Sequence, residues 1–232
     1  MTSRSEAEEN LRVIRSLMER ATFYRAISAP GALLGGTLAL VTSFMDGNWL
    51  SLVGYGPTSD VGTHLNLWLG LFTTRWIAVL LITAAVNFIF LWRDAKRRED
   101  PFISPGMKLA LRAVLPSYTV ATWWTWSYGL TTNPEVLVPV WVICHGLALL
   151  ATSHFAPRSL IWLGWAFLIA GIILINPVIE DGFTAHSGFA GVREHTLKAQ
   201  MWMACTFGLF HLVYALFAWP RKQAVQDLGA MP

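Results

Sequence analysis

Six apolar stretches, each close to the length of a bilayer crossing, decide which solvent this chain can fold in. They fall at 29–45, 74–92, 108–129, 136–154, 159–176 and 199–219. A hydrocarbon core about 30 Å thick is crossed by roughly 20 helical residues. Backbone polar groups in lipid find no water to bond, so such a run crosses as a helix that satisfies itself. The expected fold class is all-α: an integral membrane bundle of six transmembrane helices with an N-terminal cytoplasmic amphipathic helix. Composition agrees, since 54% of the 232 residues are hydrophobic and 13% are charged, against about 25% charged in soluble domains. The first stretch is short. Residues 65–73 either extend the second helix or lie at the interface before Arg75, and the sequence leaves both open.

Orientation follows from where the basic residues stand. Of the 17 Lys and Arg, only Arg75, Arg193 and Lys198 fall on one side of the expected bundle. All the others lie in the N-terminal segment, the 93–112 connection, the turn at Arg158 or the tail with Arg221 and Lys222. Cytoplasmic loops carry the excess of Lys and Arg, which places both termini in the cytoplasm. The domains expected are 1–28, a cytoplasmic amphipathic helix; 29–219, the six-helix transmembrane domain; and 220–232, a cytoplasmic tail. Pro30, Pro105 and Pro157 each precede an apolar run, where a missing N–H costs a helix nothing. Trp123, Trp124, Trp126 and Tyr128 form an aromatic belt at the expected outer end of the third helix, with Trp92 and Trp219 at inner ends.

Residues 5–27 carry Leu11, Ile14, Leu17, Met18, Ala21 and Tyr24 at helical spacing, and Ser5 with Glu8 forms a capping box. Such a helix lies on anionic lipids at the cytoplasmic face, docks a cytoplasmic protein partner or covers the bundle. Its mixed charges, with no apolar core behind a short basic stretch, are unlike a cleavable signal peptide. The net charge of +3 sits in patches between apolar runs. That pattern fits membrane orientation, and no nucleic-acid partner is expected.

Strongly polar groups at membrane depth are costly and therefore candidates for function. Arg75, Asn87, Arg112, His145, Asn176 and His211 are such groups. The two arginines stand near helix ends, where long side chains reach the headgroups. His145 and His211 fall near the middle of the fourth and sixth runs, with Cys144 and Cys205 in the same runs. Two imidazoles facing each other could bind haem b, and with a thiolate they could hold a transition metal. The competing reading is two histidines bonded to neighbouring backbone or hydroxyl groups. A second set, His186 and His195 with Glu180, Asp181 and Glu194, lies in the loop after the fifth helix, where a metal site or a solvated loop are the alternatives. Gly31, Gly35 and Gly36, and Gly164 with Gly171, provide small faces for close helix packing. No catalytic motif is present.

The stretches Leu17–Gly36 and His145–Gly171 resemble those of uncharacterised bacterial multi-helix inner-membrane proteins of unknown function. The resemblance implies a bacterial inner membrane and several spans, and it transfers no catalytic residue. The expected function is a non-enzymatic sensor, regulatory or accessory subunit. The alternatives are a small transporter or channel, with Pro116 and Pro139 breaking helices and Asn87, Tyr118, Thr119 and Thr122 along a polar route, or a haem- or metal-binding redox protein using His145 and His211.

Overall fold

A computed structural model of the chain describes residues 8–13, 29–52, 61–97, 105–128, 134–153, 156–180 and 189–218. All the regular structure among them is helical. Six helices follow in order: α1 (Ala29–Leu52), α2 (Val61–Arg97), α3 (Pro105–Tyr128), α4 (Pro134–Ala151), α5 (Arg158–Glu180) and α6. The last is built in three sections, an α-helix Phe189–Met203, a π-helix Ala204–Phe210 and an α-helix His211–Ala218.

Each expected apolar run has its core inside one of these helices. Among the described residues, four helical segments are long and apolar enough to cross a membrane: Gly70–Arg97, Pro134–Ala151, Arg158–Ile179 and Glu194–Ala218. The apolar part of α1, Ala29–Met45, is shorter. Residues 65–73 belong to α2, whose backbone runs unbroken from Val61 to Arg97. Of the segment expected to form an N-terminal amphipathic helix, residues 8–13 are helical and exposed; the rest of 1–28 lies outside the described residues, as does the 220–232 tail.

The surface says what surrounds the bundle. Leu80, Leu81 and Ile82 of α2 are 50%, 62% and 49% exposed, and Phe217 of α6 is 73% exposed. Contiguous apolar surface on this scale is avoided in water. Side-chain hydroxyls behave as they must in lipid: Thr37, Thr119, Thr122 and Thr125 donate to the carbonyls of Leu33, Leu115, Tyr118 and Ala121, one turn back on their own helices.

α4 lies at the centre, packed on α5, α3 and the first section of α6. It is largely apolar and the most buried of the candidate spans, and Leu137, Val138 and Val142 have no exposed surface. Its partnership with α5 depends on glycine. A Cβ on Gly146 would lie 2.7 Å from the Leu168 nitrogen and 2.9 Å from the Gly164 oxygen. Gly171 in turn lets α5 approach Ile143 and the Pro139 carbonyl. Gly31 and Gly35 face Asn87 and Thr83 of α2, while Gly36 meets the carbonyl of Gly208 in the π-helix. The small faces therefore pack the chain's own bundle. α3 and α4 continue as helices through Pro116 and Pro139.

Candidate functional site at the seam of α4 and α6

Two contacts between polar side chains join α4 to α6, one a hydrogen bond and the other a contact of imidazole rings. The first stands at the start of α4, where Glu135 occupies the first turn and its charge favours the helix N-terminus. His195 donates from Nδ1 to Oε2 of Glu135 at 2.7 Å, with both residues buried. Lys198 brings its Nζ to 3.9 Å from Oε1 of Glu135 and 3.0 Å from Oε1 of Glu194. The sequence places His195 in the loop after the fifth apolar run, either in a metal site or in a solvated loop. In the structure α6 begins at Phe189, ahead of the apolar run, and carries His195 into the interface on its polar first turns. Thr196 and Gln200 are buried on the same section.

The second contact is deeper. His145 is a hub for four helices: its Nδ1 lies 3.0 Å from the Tyr118 hydroxyl on α3, and its ring meets Phe167 of α5 at 4.7 Å and Phe207 of α6 at 5.1 Å. The His211 ring is 5.4 Å away, centre to centre. His145 Nε2 is buried with no hydrogen-bond partner. His211 is held by its own helix, for its Nδ1 donates to the Phe207 carbonyl at 2.9 Å. A carbonyl only accepts, so the proton sits on Nδ1 and the Nε2 of the neutral ring keeps a lone pair.

The π-helix creates this arrangement in two ways. In an α-helix the His211 N–H would take the Phe207 carbonyl; here it bonds Gly208 instead, and the imidazole takes the Phe207 oxygen. The second effect is rotational. At about 100° per residue, His195 and His211 on an uninterrupted α-helix would project about 160° apart. The wider π turns, about 4.4 residues each, remove roughly 125° of that, so both histidines reach α4.

The sequence candidates thus separate. His145 and His211 come together; Cys144 is buried and Cys205 is exposed, both as free thiols. His195 pairs with Glu135, and His186 lies outside the described residues. Among the described residues no three His, Cys, Asp or Glu side chains gather as metal ligands. The imidazoles lie 5.4 Å apart with Phe167 packed against both, so a flat macrocycle between them would have to displace that ring. Glu135 was absent from the sequence candidates. Its only signal was an acidic residue beside an apolar run, which the helix N-terminus explains equally well.

No protein-family model, curated protein or solved structure matches the chain.

Proposed function

We propose that the chain is a six-span protein of a bacterial inner membrane, with both termini cytoplasmic, acting as a non-enzymatic sensor, regulatory or accessory subunit. The observation that carries this reading is the doubly coupled α4–α6 seam. A hydrogen bond between Glu135 and His195 and a ring contact between His145 and His211 lie at two depths of one helix pair and are phased by one π-helix. π segments in helices are frequent at functional sites. Such a seam has what a signal relay needs: costly buried polar groups at both levels and an irregular element able to change register between them. The transporter alternative draws less support, because α3 and α4 are unbroken at their prolines and the hydroxyls of Thr119 and Thr122 bond their own helix.

Six spans and the orientation are favoured by the basic residues and by helix length. The 24 residues of α1 and of α3 reach about 36 Å at 1.5 Å per residue. Residues 5–27 and the basic inner face then meet anionic lipids and a cytoplasmic protein partner. Single cysteines replacing Lys96 and Ala185, in a chain with Cys144 and Cys205 changed to Ser, should react with an impermeant maleimide from opposite compartments. Reaction of both from the same side removes the arrangement.

The relay is tested at the far end. Spin labels on Ala151→Cys and Ala218→Cys, at the inner ends of α4 and α6, report the spacing of the two helices. Introducing Glu135→Gln should change that spacing by about 1–2 Å, the scale of helix shifts in switching. An unchanged distance distribution would remove the sensor reading.

A further inference from the structure

We infer that His145 and His211 form a binding site for a single monovalent transition-metal ion, cuprous copper by its chemistry. Both imidazoles have the Nδ1 edge engaged, one on the Tyr118 hydroxyl at 3.0 Å and the other on the Phe207 carbonyl at 2.9 Å. That is the outer-shell pattern of metal-bound histidine, in which the second nitrogen fixes tautomer and ring direction. The other nitrogen of His145 is buried and without a hydrogen-bond partner, a costly state for a polar atom in an apolar bundle.

The ring separation fits one ion. With both Nε2 atoms turned to one ion, metal–nitrogen bonds of about 2.0 Å and ring centres about 1.1 Å behind each nitrogen, centres 5.4 Å apart correspond to an N–metal–N angle of about 120°. Two imidazoles at that angle leave the third position of a trigonal ion open to a small exogenous ligand. Charge selects among the metals that imidazole binds. Two neutral ligands leave the whole ionic charge uncompensated, and the desolvation cost rises with the square of the charge. Phe167, packed against both imidazoles, makes the surroundings apolar. A monovalent ion content with few ligands is therefore accommodated, and a divalent one is not. The site does not depend on the sensor reading and would hold equally in a structural or redox protein.

The test uses the full chain in mild detergent, reduced, stripped of metal and titrated with Cu(I) against a cuprous chelator. One copper per chain is expected, with an X-ray absorption spectrum showing imidazole nitrogens and no sulfur in the first shell. Changing both Cys144 and Cys205 to Ser should leave affinity unaltered, and Tyr118→Phe should weaken it about 10-fold through the lost outer-shell bond. His211→Gln should abolish stoichiometric uptake while the protein stays monodisperse. Should the histidine variants fail to fold, the spectrum of the unaltered protein decides. Sulfur in the first shell, no stoichiometric copper, or uptake unchanged in His211→Gln each overturns the site; a proton shared between the rings would give the second result.

Discussion

Glu135 and His195 meet through a hydrogen bond of 2.7 Å although they stand on different helices and their side chains are only 8% and 10% exposed. A buried hydrogen bond to a carboxyl group is expensive to break, because removing one partner leaves the other desolvated and unsatisfied. The contact therefore holds the first turn of α4 against α6 with a strength that the nearby surface charges lack. Lys198 is 42% exposed and Glu194 67%, so their pairing is screened by solvent.

That contrast yields a stability prediction. Glu135→Ala should cost about 1–3 kcal/mol, the range for leaving a buried polar group unsatisfied. Lys198→Ala should cost no more than about 1 kcal/mol, the range for exposed pairs. Thermal unfolding of the purified protein in one detergent, followed by loss of monodispersity, compares them directly. Equal melting of the two variants would mean that Glu135 and His195 do not hold the seam.

The glycine seam gives a second comparison. Replacing Gly by Ala within a helix gains about 1 kcal/mol in propensity, so the sign of the change depends on what the new methyl meets. At Gly146 it meets backbone, the Leu168 nitrogen at 2.7 Å and the Gly164 oxygen at 2.9 Å, and α4 and α5 must move apart. Gly146→Ala should therefore destabilise by about 1–3 kcal/mol, the usual cost of overpacking. At Gly35 the nearest atom is a Thr83 methyl at 2.8 Å, the end of a side chain that can turn. Gly35→Ala should come out near neutral. The same melting experiment checks both, and a milder effect at Gly146 than at Gly35 would place the tight contact elsewhere.

The bilayer itself can be tested at Leu81, which is 62% exposed in the middle of the Gly70–Arg97 segment. In a protein surrounded by water, Leu81→Arg would be a surface change of less than about 0.5 kcal/mol. In lipid, arginine at the centre of a helix costs about 2.5–3.5 kcal/mol to insert. A glycosylation-reporter assay of α2 insertion should show the variant's inserted fraction falling sharply. Unchanged insertion would contradict a lipid-facing surface at Leu81.

How far the sequence could be read depends on the range of the physics involved. Apolar run length is a local property, and it located the core of every helix from α1 to α6. Small residues at helical spacing were equally legible, since Gly31, Gly35, Gly164 and Gly171 all sit at close helix contacts. Helix ends were less so. α6 starts well before its apolar run because Glu194, His195 and Lys198 are satisfied by one another and by Glu135, an agreement between two distant segments that hydropathy does not see. Residues 65–73 posed the same difficulty, for Asn66 and His64 interrupt the apolar pattern without ending α2. The convergence of His145 and His211 was a candidate from depth alone, but its phase was not. Nothing in Ala204–Phe210, read as ACTFGLF, announces a π-helix.

That hidden element makes the sharpest prediction. Deleting one residue from the π segment should return it to α-helical winding. The residue lost (about 100°) and the turns tightened (about 125°) act in opposite directions, so the chain beyond turns by only about 25°. Cys205 is the natural choice, because its side chain is exposed. The deletion should leave His195 on Glu135, since that contact precedes the irregular turns, and keep His211 on the α4 face. Cysteines in place of His145 and His211, with Cys144 changed to Ser and Cys205 changed to Ser or deleted, make the outcome visible: a short bis-thiosulfonate should bridge them in both chains. A bridge lost in the shortened chain would mean that the π turns do not absorb the extra residue, and that the approach of His211 to His145 comes from the packing of Phe207 and Phe167 instead.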